Sequence, residues 1–118
     1  MINFDKYIIE NKLNDLKLKE HLIYYDGALL SHYIDEVNLN YFYLYVDFEP
    51  KVNRWLIFKV EEKDIEPYLN GEISLLTLIL GNEKLILCDE FFDRNVYYEI
   101  DLSLMPDDYY PDVNSFYI

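Results

Sequence analysis

The sequence predicts an α+β fold, a mainly antiparallel sheet of five or six strands with short helices on one face. Three observations predict it. Residues 41–60 read as two strands joined by a turn, the first with Phe42, Leu44, Val46 and Phe48 on one side and Tyr41, Tyr43, Tyr45, Asp47 and Glu49 on the other. An Asp26-Gly27 pair separates two earlier runs, which is the signature of a tight hairpin, because glycine accepts positive φ without a Cβ clash. After Val60 the period of two gives way to short apolar runs bounded by helix-capping residues.

Taken in order, Asn3–Asn11 predicts a short helix with Asn3 as cap and Phe4, Tyr7 and Ile8 on one face. From Leu16 to Tyr24 the period is two, with Leu16, Leu18, Leu22 and Tyr24 alternating with Lys17, Lys19, His21 and Ile23, and Ala28–Asp35 returns as its hairpin partner. Asp35–Asn40 is a loop, and Pro50–Asn53 turns the central hairpin, whose second strand sets Leu56, Phe58 and Val60 against Trp55, Ile57 and Lys59. Asp64 caps a helix with Pro67 in its first turn and Gly71 at its end. Ser74 starts a second helix, Leu75–Leu80, stopped by Gly81 and apolar nearly all round, so it is expected to bury against the Phe42, Leu44, Val46 and Phe48 face; a strand is the alternative for this run. Lys84–Cys88 and Asn95–Asp101 complete the strands, with Asp89–Arg94 as the turn between them.

At 118 residues the chain is read as one domain, 1–118, in which 102–118 forms an acidic, aromatic C-terminal arm. Pro106 and Pro111 block regular pairing there, while Tyr109, Tyr110, Phe116, Tyr117 and Ile118 call for a surface to dock on. The net charge is −13, and residues 85–118 hold eight acidic residues against Arg94 alone. Such a field repels phosphate, so direct nucleic-acid binding and anionic membranes are disfavoured. Solubility alone would also account for it. A single cysteine, Cys88, forms no internal disulfide, and the first residues lack a basic segment followed by an apolar run; both point to a cytoplasmic protein. Abundant Asn, Ile, Lys and Tyr beside two Arg suit an AT-rich bacterial or phage genome.

The enzyme-like patterns are weak. Glu49-Pro50-Lys51 with Asp35 or Asp26 has the outline of a metal-dependent nuclease site, where two carboxylates hold a cation and an ammonium orients water, but Pro50 interrupts the strand that should carry it. His21 and His32 lack partners at zinc-ligand spacing, and Ser31-His32 are neighbours that a strand sends to opposite faces. Cys88 beside Asp89 and Glu90 reads as a buried thiol, not a nucleophile. Three glycines, at 27, 71 and 81, cannot write a phosphate loop. Asp26, Asp35, Glu36, Asp47 and Glu49 match no calcium-loop spacing. The sequence thus assigns no catalytic residue, no metal and no cofactor.

Thirteen tyrosines with one tryptophan leave one other reading. Aromatic rings give anchor area and carboxylates steer a cationic partner. The candidate partner-binding residues are Tyr41, Tyr43, Tyr45, Asp47, Glu49, Asp107, Asp108, Tyr109, Tyr110 and Asp112, facing a basic protein. A basic surface typically belongs to a protein that handles nucleic acid, so an antitoxin, an immunity protein or a phage anti-defence inhibitor mimicking DNA is the expected class. The alternatives are a metal-dependent hydrolase using Asp35, Glu49 and Lys51, or a structural subunit that oligomerises through the tyrosine face. The blocks Tyr25-Asp26-Gly27-Ala28-Leu29-Leu30, Tyr43-Leu44-Tyr45-Val46-Asp47, Arg54-Trp55-Leu56 and Tyr68-Leu69-Asn70-Gly71-Glu72-Ile73-Ser74-Leu75 together resemble a small bacterial domain family of unknown function over residues 20–80. That resemblance implies an α+β domain and brings no activity or catalytic residues.

Overall fold

Alternating runs separated by tight turns pair with their sequence neighbours, and a computed structural model, describing residues 4–10 and 16–117, shows the resulting sheet. Its strands are β1 (Ile8–Ile9), β2 (Lys17–Tyr24), β3 (Ala28–Ile34), β4 (Asn40–Glu49), β5 (Val52–Val60), β6 (Lys84–Phe91) and β7 (Asn95–Asp101), with helices α1 (Glu62–Leu69) and α2 (Leu75–Leu80) between β5 and β6. All pairs are antiparallel, in the order β1-β7-β6-β5-β4-β3-β2. The fold is α+β as expected, and among the described residues the sheet has seven strands, one more than the five or six expected. The extra one lies where a helix was expected: Asp5–Tyr7 makes only a 3₁₀ turn, and Ile8 and Ile9 pair with Tyr98 and Tyr97. A nine-residue helix is too short to hold without packing, and an open sheet edge offers these residues ladder hydrogen bonds instead. Residues 3 and 11, the ends of that expected helix, lie outside the described residues.

Turn chemistry explains the hairpins. Asp26 and Gly27 both take positive φ, 51° and 127°, as the tight β2–β3 turn requires. Between β4 and β5 the turn is tighter than expected, with Lys51 in the left-handed region at φ 77°. Helix α1 begins two residues before Asp64, so Pro67 falls in its second turn, and Gly71 at φ 74° closes it while the Glu72 N–H donates to the Pro67 carbonyl at 2.9 Å. Ser74 caps α2, its Oγ accepting from the Thr77 N–H at 3.1 Å.

One face of the sheet carries the core. Leu30, Leu44, Leu56, Leu87 and Tyr98 stand in register across β3 to β7, with Phe42 opposite Phe58 in the next apolar row. Tyr68 of α1 and Leu75, Leu78 and Ile79 of α2 pack on this face together with Met105 and Tyr109 of the arm, in one hydrophobic cluster. The arm is tied down by backbone as well: Ser74 and Phe116 form a β-bridge, and the Leu75 N–H donates to the Ser115 carbonyl at 2.8 Å. Phe48, expected in the core, is 68% exposed. A bulge is the reason. Tyr45 faces Trp55, the next pair is Asp47 with Arg54, and Val46 has no partner, so the alternation of β4 inverts after it.

Candidate functional site

On the other face of the sheet the same register assembles rings. Tyr45, Trp55, Cys88 and Tyr97 are neighbours across β4, β5, β6 and β7; Tyr43, Ile57, Ile86 and Glu99 form the next row, and Tyr33, Tyr41 and Lys59 another. The helices and the described part of the arm lie on the opposite side, with the core. Packing within the face is nonetheless dense: Ile57 is 1% and Cys88 3% exposed, yet neither belongs to the core cluster. Tyr33 lies against Tyr43 with ring centroids 4.2 Å apart, and Tyr45 against Trp55 at 5.1 Å.

Phenols from three strands converge over Cys88 and Glu90 of β6. Burial pushes the Tyr43 hydroxyl well above its usual value, reinforced by Tyr97, Cys88, Tyr33 and Tyr41. Burial also raises Tyr33, Tyr45 and Tyr97, and the Glu90 charge adds to all three. The Cys88 thiol is pushed up to about 12 by burial, so it stays protonated and is a poor nucleophile at neutral pH. Glu90 itself is exposed, accepting one long hydrogen bond, 3.3 Å, from Asn53 Nδ2, while Asn53 Oδ1 accepts from the Tyr45 hydroxyl at 3.1 Å.

The ten residues proposed from sequence divide between the two sides of the sheet. Tyr41, Tyr43 and Tyr45 lie on the ring-lined face. The bulge sends Asp47 and Glu49 to the core side, where they line a cleft of about 810 Å³ with Phe4, Arg54, Asp108 and Tyr109. Here Arg54 grips Asp89 with Nε and Nη2 at 2.6 and 2.8 Å and donates from Nη1 to the Tyr109 hydroxyl at 2.8 Å, which donates on to Asp47 Oδ2 at 2.9 Å. The guanidinium also lies over the Phe4 ring at 5.2 Å. This network satisfies Arg54 internally and fastens the arm to the sheet. Tyr109, proposed as a contact residue, is therefore a core residue at 9% exposure, its hydroxyl used as both donor and acceptor. Tyr110 is half-buried and donates to the Leu102 carbonyl at 2.7 Å, whereas Asp107, Asp108 and Asp112 are exposed along the arm. Strand alternation cannot reveal an inserted residue, so the sequence pattern groups Asp47 and Glu49 with the tyrosines. Nothing local in the sequence marks Trp55 and Tyr97, because their row exists only once β5, β6 and β7 are paired.

Asp35, Glu49 and Lys51, the residues of the hydrolase alternative, do not converge. Asp35 precedes β4 and Glu49 ends it, so roughly 30 Å of strand separates them. Asp35 Oδ1 accepts from the Val37 and Leu39 N–H groups and shapes its own loop. His32 is 1% exposed, and its Nε2 donates to Asn40 Oδ1 at 2.8 Å while Asn40 Nδ2 donates to Oε2 of the exposed Glu62 at 2.7 Å, so the buried ring is satisfied through a chain that leads to the surface. His21 shares a 2.6 Å hydrogen bond with Ser31 on the ring-lined side. Among the described residues no group of three or more His, Cys, Asp or Glu side chains is placed to hold a metal ion, and no helix is long and apolar enough to cross a membrane. No family model matches this chain, and neither a curated protein nor a solved structure does.

Proposed function

We propose that this chain is a non-enzymatic acidic binding protein that occupies a basic surface on a cytoplasmic protein handling nucleic acid, as an antitoxin, an immunity protein or a phage anti-defence inhibitor that mimics DNA does. The observation that carries this reading is the row Tyr45, Trp55 and Tyr97, flanked by Tyr33, Tyr41 and Tyr43, on the sheet face away from the helices of a chain with net charge −13. Tyr and Trp give large contact area for few rotatable bonds, and they dominate the energetics of protein interfaces. The surrounding negative charge supplies long-range attraction to a cationic partner and repels nucleic acid itself. Asp107, Asp108 and Asp112 add to that field from the arm without belonging to the contact face.

The test is affinity capture from the native host at about 50 and 500 mM salt, where the screening length falls from roughly 14 to 4 Å. A basic, stoichiometric partner held at low salt, released at high salt and lost from Tyr43→Ala and Tyr45→Ala supports the reading. A partner that ignores both salt and these substitutions, or no partner at either salt, refutes it.

A further inference from the structure

Within the ring-lined face, charge is sparse and unevenly placed. Lys84 sits 3.8 Å from Glu99 at one end, and Lys59 and Asp35 lie towards the same end, beyond Ile57 and Tyr41. At the other end Arg94 is paired with Asp93 at 3.1 Å and stacked over Phe91 at 4.4 Å, and Lys51 stands at the β4–β5 turn. Glu90 lies between these groups. It is flanked by Asn53 and Asn95 in its own row, one row from Tyr45, Trp55 and Tyr97. Among the described residues its hydrogen-bond donor is the Asn53 amide at 3.3 Å, and Lys51 and Arg94, which line the same cleft, form no ion pair with it.

We propose that Glu90, with the rings of Tyr45, Trp55 and Tyr97, receives an arginine side chain of the protein partner. This deepens the function proposed above and rests on it. A planar guanidinium suits the position better than an ammonium, since it stacks on aromatic faces while its edge meets a carboxylate with two parallel N–H donors. The field of Glu90 at Tyr33, Tyr45 and Tyr97 agrees with a carboxylate close to the rings. Acidic groups on the arm, across the sheet from this face, attract any cation at long range; the ring-and-carboxylate arrangement selects arginine.

Trp55 is the sole tryptophan of the chain and lies in the site, so its fluorescence reads occupancy directly. Hexa-arginine and hexa-lysine peptides are titrated at physiological salt against the wild type, Glu90→Gln and Asp112→Asn, the last removing an equal charge from the arm. The expected result is saturable Trp55 quenching with hexa-arginine several-fold tighter than hexa-lysine, about tenfold weaker binding in Glu90→Gln, and less than a twofold change in Asp112→Asn. Equal losses in the two variants, equal affinity for the two peptides, or an unresponsive Trp55 would overturn the proposal. A Trp55 change on concentrating the protein alone, with doubled mass in sedimentation, would overturn it in favour of a second copy. Capturing the host partner with Glu90→Gln separates the two readings. Undiminished capture that Tyr45→Ala still abolishes removes the arginine site and leaves the binding function standing.

Discussion

Replacing Asp89 by Asn should be the most damaging single-atom change in this protein. The Asp89 side chain is 6% exposed and accepts two N–H bonds from Arg54, whose own side chain is 23% exposed. Asn retains one acceptor oxygen but turns an amide towards the second guanidinium donor, leaving a charge without its counter-ion. Removing one partner of a buried pair typically costs about 3–5 kcal/mol. The residual exposure of Arg54 and its bond to the Tyr109 hydroxyl lower that to about 2–3 kcal/mol here. With an unfolding entropy of about 0.25 kcal/mol/K for a chain of this size, the melting temperature should fall by about 8–12 °C. Calorimetry and urea unfolding followed at Trp55 measure it. The double substitution Arg54→Met with Asp89→Leu should recover much of the loss, because it leaves no unpaired charge. A drop below about 2 °C for Asp89→Asn would refute the claim that this pair, with the arm fastened to it through Tyr109, is integral to the fold.

The bulge at Val46 predicts unequal phenylalanines: Phe42→Ala should cost about 3–5 kcal/mol and Phe48→Ser less than about 0.5 kcal/mol, measured by urea unfolding, although simple alternation puts both rings in the core. Alkaline pH should destabilise the fold. Tyr68 and Tyr98 are pushed up to about 12 by burial from an ordinary 10.0, and Cys88 to about 12 from 9.0, so the unfolded chain releases these protons first. Stability should be intact below about pH 9 and decline as pH rises from there to about 12, with the rise in tyrosinate absorbance near 295 nm coinciding with unfolding. A stability that is flat across that range would contradict the burial of these groups.

Local patterns in the sequence determined much of this protein. The Asp26-Gly27 hairpin, the α2 helix from Leu75 to Leu80 with its Ser74 cap, and the apolar side of β4 as far as Val46 follow from period, turn residues and capping, all of which act within a few residues. Three features depended on strand pairing that the local pattern does not encode. Ile8 and Ile9 become a strand because β7, nearly ninety positions later, offers an open edge. The inversion after Val46 belongs to the β4–β5 ladder and turns Asp47 towards Arg54 and Tyr109. The candidate site itself, Tyr45, Trp55, Tyr97 and Glu90, draws on four strands. Sequence could place Tyr45 on the polar side of β4, but sheet order and register alone bring the other three beside it, because cross-strand neighbours are set by pairing and not by position along the chain.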